Sequence, residues 1–320
     1  MQREGSPWQG LAAVTLKELA DHFSSARMRV LEWLVILTAA AALYGALQTI
    51  RNTTAQDPFV FLRLFTDTQA PLPSFSSILG FLIPLVAIGL GFDAVNGEYN
   101  RRTMSRILSQ PIYRDALLLG KFLAGLTTLA ICLICLWLLV IGSGLILLGV
   151  PPSGEEISRS LIFLIIALVY AGVWLAVSIL FSAIFRSAAT SALVSLGLWL
   201  FLGLLWPMLA PAIAQFIAPP DLVSTLTGQP SVHTLQWQLG LERISPTQLF
   251  GESITTILSP MIRTTGPVFM EQLEGAIIGA PLPLAESLSI VWPEIVALVS
   301  GCILLFALAY VVFQRQEVRA

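Results

Sequence analysis

Six runs of apolar residues, each roughly 18 to 29 residues long and almost without charge, constrain this chain more than any other feature. A helix needs about 20 such residues to cross a hydrocarbon core ~30 Å thick, and a soluble core helix is usually shorter and polar along one face. The spans read from them lie at about Val30–Ile50, Ser74–Val95, Ala116–Gly149, Leu161–Phe185, Ala188–Ile217 and Leu288–Phe313, the third and fifth being long enough to tilt, kink or project from the membrane. Only Arg186 and Ser187 separate the fourth from the fifth, which predicts a tight helical hairpin. Charged residues make up 11% of the chain against about 25% in soluble domains, too few to cover a globular surface with water-facing groups. The fold class expected is all-α and polytopic, with six transmembrane helices.

Lysine and arginine orient the spans. Arg3, Lys17, Arg27 and Arg29 precede the first span, and Arg101, Arg102, Arg106, Arg114 and Lys121 follow the second. With Arg186, Arg315 and Arg319 they put twelve on one side. Arg51, Arg63, Arg159, Arg243 and Arg263 fall on the other, in longer loops. Both termini are therefore expected in the cytoplasm. No apolar signal region precedes Val30, so the first span is read as an uncleaved anchor.

Three segments outside the spans have character. Residues 11–29 set Ala12, Leu16, Leu19 and Phe23 at helical spacing opposite Lys17, Glu18, Asp21 and Ser25, a pattern suited to a helix lying in the cytoplasmic interface. Residues 97–115 predict a short cytoplasmic helix, with Met104, Ile107 and Leu108 on one side, Arg101, Arg102, Ser105 and Ser109 on the other, and Pro111 at its end. About residues 218–287 form an acidic extracytoplasmic insert, punctuated by eight prolines and expected to fold as short helices and turns on the outer mouth. The expected organisation is an interface helix at 1–29, five spans over 30–217 with the cytoplasmic helix at about 97–111, the insert at 218–287, and the last span and tail at 288–320.

Catalytic constellations are missing. His22 and His233 fall on opposite sides of the membrane by this reading, so neither zinc nor serine-hydrolase chemistry assembles within one chain. Cys132-x-x-Cys135 has redox or metal spacing but sits inside an apolar run, where thiols act as small hydrophobes. Gly142-Ser143-Gly144 lacks a base and reads as close helix packing. Gly120-Lys121 is followed by Phe122, where a phosphate-binding loop needs Ser or Thr. No dense basic tract invites nucleic acid. No catalytic or metal-binding residue is assigned.

Ionisable residues inside spans cost ~2.5–3.5 kcal/mol each at mid-membrane and so deserve a reason. Glu294, directly after Pro293, is the clear case. It lines a polar solute path or, as the favoured reading, sits near the outer headgroups, hydrated or paired with an arginine such as Arg263. Asp93 and Glu32, near cytoplasmic ends, are expected to be solvated. Ser187, Ser191 and Ser195 recur every fourth residue, with Trp199 and Gly203 extending the stripe. Such a small-residue ridge packs on another helix of the same chain or of a second copy, or lines a conduit.

The segment GEYNRRTMSRILSQPIYRDALLLGKF (97–122) resembles the cytoplasmic loop of type 2 ATP-binding-cassette (ABC) exporter permeases. There a Gly-Glu pair, basic residues, a Thr, an apolar helix, a Pro-centred turn and a Leu-Leu-Gly-Lys run sit between the second and third spans. TLKELADHFSSARMR resembles the family's interface helix. ISPTQLFGESITTILSP (244–260) resembles the outer insert of one branch, and AYVVFQRQEVRA its C-terminal end. The likeness runs along essentially the whole chain and is strongest to permeases serving nitrous oxide reductase maturation with a periplasmic partner.

The resemblance implies a permease subunit in the cell membrane, paired with an identical or related permease and with two copies of a separate ABC ATPase. This chain would bind no cofactor; ATP and Mg²⁺ would belong to the ATPase. Gly97, Glu98, Arg101, Arg102, Thr103, Leu108 and Pro111 would form the coupling surface, and Ser187, Ser191, Ser195 and Glu294 a substrate path or permease–permease interface. The expected function is ATP-driven export. The alternatives are the same engine doing mechanical work on an extracytoplasmic partner bound at 218–287, a gradient-driven carrier, or a membrane scaffold.

Overall fold

A computed structural model describes residues 10–52, 59–68, 73–104, 109–110, 112–149, 151–219, 231–262 and 281–315. The first described helix, α1 (Leu11–Ser24), ends at the extended Ser25 and turns into α2 (Ala26–Asn52). A short α3 (Val60–Thr66) leads to α4 (Phe75–Gly91), whose first turn is capped by the Ser74 hydroxyl, and then to the five-residue α5 (Asn96–Asn100). The long pair α6 (Arg114–Leu148) and α7 (Gly154–Ile184) follows. A capping box starts α7: Ser153 and Glu156 exchange side-chain and backbone bonds. Next come α8 (Ala188–Leu200), a π-helical turn at Phe201–Leu205, and α9 (Trp206–Ile217). Two short helices, α10 (Val232–Glu242) and α11 (Pro246–Leu258), precede α12 (Leu284–Arg315).

Among the described residues, six segments are long and apolar enough to cross a membrane: Met28–Ile50, Phe75–Asn100, Arg114–Leu148, Gly154–Ile184, Ala188–Ile217 and Leu284–Arg315. The chain is thus a multi-pass helical membrane protein, as its apolar runs predict. The fourth span is the hub: α7 packs on α4, α6, α11 and α12, and Tyr170, Trp174 and Phe163 on it are fully buried. The first, fifth and sixth spans leave large apolar side chains outward, among them Trp33, Leu193, Phe216 and Leu304, as lipid-facing helices do.

The spans alternate in direction, which gives the bundle two distinct ends. At one lie α1, α5, the start of α6, the α7–α8 hairpin and the end of α12, where Tyr310 and Gln314 donate to Asp115. The described chain therefore begins and finishes at the same end. At the other lie α3, α10, α11 and the start of α12.

Two expected helices depart from the periodicity. The interface helix stops at Ser24, because the Ser25 hydroxyl takes the Met28 N–H and starts α2 instead. Its protein-facing side carries Val14 and Glu18, while Ala12, Leu16 and Phe23 stay exposed. The helix expected over 97–111 is interrupted. Helix α5 closes at Asn100, and Arg102 takes a left-handed backbone (φ 56°) before Thr103. Within the insert, α10 and α11 pack on α9, α7 and α12, not on each other as a separate body.

Candidate functional site

The strongest concentration of buried charge lies where α1, α5 and α6 meet. Glu98 on α5 is 3% exposed and Lys121 on α6 is 5% exposed. Lys121 Nζ lies 3.3 Å from Glu98 Oε1 and 2.9 Å from Glu18 Oε1 on α1. Lys17 flanks the cluster, 2.9 Å from Glu18, 3.0 Å from Asp21 and 3.9 Å from Glu98. The Thr103 hydroxyl donates to the other Glu98 oxygen, and its N–H donates to the Glu98 carbonyl at 3.0 Å. These two bonds account for the left-handed turn at Arg102: the chain folds back so that Thr103 reaches the carboxylate one turn behind it. Burial alone pushes the Glu18 carboxyl up, but Lys121 and Lys17 outweigh it and hold Glu18 below its ordinary range.

Close backbone approach makes the cluster possible. A Cβ on Gly120 would sit 2.7 Å from Val14 Cγ1, so α1 can lie on α6 only because residue 120 is glycine. The other side of the connection is tied to the α7–α8 hairpin. Ser182 Oγ accepts the N–H groups of Val95 and Asn96 at 2.9 and 3.2 Å. The amides of Asn96 and Asn100 donate to the carbonyls of Phe185 and Arg186, both at 3.1 Å. The segment between the second and third spans is thereby fixed to α1, α6 and the hairpin together. Above this joint, Arg101 and Arg102 are exposed, a basic tip on a stiff base.

At the opposite end a second set of buried charges fastens the insert. Arg159 on α7 is fully buried and donates to the Ile257 carbonyl (2.9 Å), the Leu282 carbonyl and the Ser287 hydroxyl (3.2 Å), and it pairs with Glu155 at 2.8 Å. Arg243 bridges Glu252 and Glu294, each at 2.9 Å. Burial raises Glu252 above its ordinary range, with Gln248 and Arg243 drawing it back and Glu294 adding to the rise. Tyr170 stacks on Phe250 at 4.4 Å and donates to the Gly80 carbonyl at 3.0 Å. Beside them, α4, the fifth span and α11 enclose a cavity of about 470 Å³, lined by Phe81, Trp199, Thr247 and Phe250 and by hydroxyls at its insert end.

The profile of the ABC-2 family transporter proteins matches residues 12–318. The chain belongs to this family. Among curated relatives it is similar to the probable ABC transporter permease protein NosY of Stutzerimonas stutzeri, 32% identical over 99 residues, which are 31% of this chain and 34% of that protein. It also resembles the NosY protein of Pseudomonas aeruginosa, 44% identical over 59 residues, or 18% of this chain and 22% of the relative. The matched stretches thus span about a third and about a fifth of those relatives' lengths.

In this ABC-2 chain, Gly97, Glu98, Arg101, Arg102 and Thr103 fall together on one connection, with Glu98 buried and both arginines exposed, Arg101 reaching back to 3.7 Å from Glu98. Leu108 and Pro111 lie outside the described residues. Glu98 thus forms the base of the joint, whereas the arginines form its surface. Two serines of the ridge are buried, whereas Ser187 is exposed. Ser187 caps α8, Ser191 and Ser195 are fully buried, and Trp199 meets Phe81 edge-on at 4.8 Å. Glu294, 2% exposed, pairs with Arg243; Arg263 lies outside the described residues. Cys132 packs against the core and is unpaired with Cys135. Glu32 is half-buried and borders an apolar cleft.

Sequence reading missed Lys121 as an ionic partner, and with it Glu18 and Arg159. A lysine between Gly120 and Phe122, at the head of an apolar run, carried the signal, since a charge buried there requires a counter-charge.

Proposed function

We propose that this chain is the permease subunit of an ATP-driven ABC exporter, in which a separate ATPase pushes on the connection between the second and third spans. The observation that carries this reading is the buried Glu18–Lys121–Glu98 cluster. It makes an exposed basic tip continuous with α1, α6 and the α7–α8 hairpin, so a push on the tip moves several elements together.

In this reading the α1 end is cytoplasmic, the protein resides in the cell membrane, and two permease copies flank the pathway. Two ATPase subunits bind ATP and Mg²⁺ and dock at Arg101 and Arg102. The cavity beside Phe81 and Trp199 belongs to the permease interior, and no residue of this chain performs chemistry. Affinity purification of the tagged chain from its native membrane tests this: an ABC ATPase should co-purify, and the complex should hydrolyse ATP. Solute flux in liposomes holding this chain alone, driven by an ion gradient, would contradict it.

A second reading is favoured by Arg159. Its bonds to Ile257, Leu282 and Ser287 tie the insert to the hub helix, so motion of α7 would be delivered to whatever binds the insert. Deleting 231–262 should then abolish capture of an extracytoplasmic partner while ATP turnover persists; capture by the deletion variant would count against this use of the insert.

A further inference from the structure

Glu32 is the one described carboxylate on α2, six residues after its start at Ala26, or about 9 Å along the helix. It has no ion pair or hydrogen bond among the described residues, although the exposed Arg29 lies one turn away on the same helix. Its side chain borders a cleft of about 370 Å³ between α2, α4 and α6. The cleft runs from Met28 and Glu32 at the α1 end to Leu139 deep in the third span, and Glu32 is the one charged group on its wall.

A carboxylate facing hydrocarbon needs a partner. An apolar cleft open to the bilayer is filled by what surrounds it there, which is acyl chain. Charge complementarity then fixes the headgroup. We propose that this cleft is a phospholipid site specific for a primary-amine headgroup, as in phosphatidylethanolamine, with an acyl chain between α2, α4 and α6 and the ammonium donating to Glu32. A quaternary ammonium offers no N–H to donate, and an anionic headgroup is repelled by the carboxylate. The proposal is independent of the transporter reading, because it rests on the cleft and on Glu32 alone.

Native mass spectrometry of the full chain, released from nanodiscs of equimolar phosphatidylethanolamine, phosphatidylcholine and phosphatidylglycerol, tests it. Wild type should retain phosphatidylethanolamine about tenfold over phosphatidylcholine, the scale of one charge-assisted hydrogen bond. The preference should vanish in Glu32→Gln. Ile36→Trp, which fills the cleft from its exposed wall, should lose the bound lipid whatever its headgroup. A series needing no variant compares phosphatidylethanolamine with its mono- and dimethylated forms in wild type, where retention should fall with each N–H removed. Equal retention along that series, preference for phosphatidylglycerol, or a preference unchanged in Glu32→Gln would overturn the proposal.

Discussion

Glu18 and Lys121, 103 residues apart in sequence, meet at 2.9 Å and join the interface helix to the third span. Lys121 is nearly devoid of solvent, and it also serves Glu98. One cation therefore neutralises carboxylates from two other elements. Removing it leaves Glu18 and Glu98 only the more exposed Lys17 and Arg101 as counter-charges, and breaking a fully buried pair costs about 3–5 kcal/mol, an upper bound here. Lys121→Met should lower the thermal unfolding temperature of the purified protein markedly. The triple variant with Glu18→Gln and Glu98→Gln should recover much of the loss, since all the buried charges then disappear together. Equal destabilisation by the single and the triple variant would assign the effect to lysine packing alone.

The same joint should respond to acid. Glu18 is held below its ordinary value of 4.5, so it favours the folded state fully above that pH. This contribution is lost as pH falls through the lower folded value. Hydrogen exchange should show α1 protected and constant above pH 4.5 and loosened below it. Glu18→Gln should flatten that profile; an unchanged acid transition would point to another carboxylate.

Gly120 sets the distance between α1 and α6. A methyl group there would lie 2.7 Å from Val14 Cγ1, an overpacking that costs typically about 1–3 kcal/mol. Gly120→Ala should expose α1 to limited proteolysis, and Val14→Ala in the same chain should restore protection. If the double variant is cut as fast as the single one, the contact is not what holds α1.

Arg159 should act only at the opposite end. Arg159→Met removes the donors of the Ile257 and Leu282 carbonyls, so hydrogen exchange should rise in residues 246–258 and 281–287. Exchange in α1 and α5 should stay at the wild-type level, because the joint there shares no residue with this cluster. A uniform rise along the chain would instead mean global destabilisation.

The six spans were legible because a membrane imposes a length and a polarity that no other environment rewards. Glu98, Arg101 and Arg102 were legible as a group because they are close in sequence. Glu18 and Lys121 were not, since pairing over 103 residues leaves no local period to read. Arg159 was hidden for a different reason: its main partners are backbone carbonyls, which any residue supplies. The break at Arg102 was also invisible, because the periodicity of 97–111 runs through it while the Glu98–Thr103 bonds decide the backbone. Arg243 was counted among the outer charges, but only packing shows it as a partner of Glu294.

The most direct test of the coupling account is ATP turnover by the purified permease–ATPase complex carrying Glu98→Ala and Arg102→Ala together. The account predicts that the ATPase subunits are retained while turnover falls about tenfold, the scale of ~1.4 kcal/mol lost from transmission. Full turnover in the assembled double variant would contradict it.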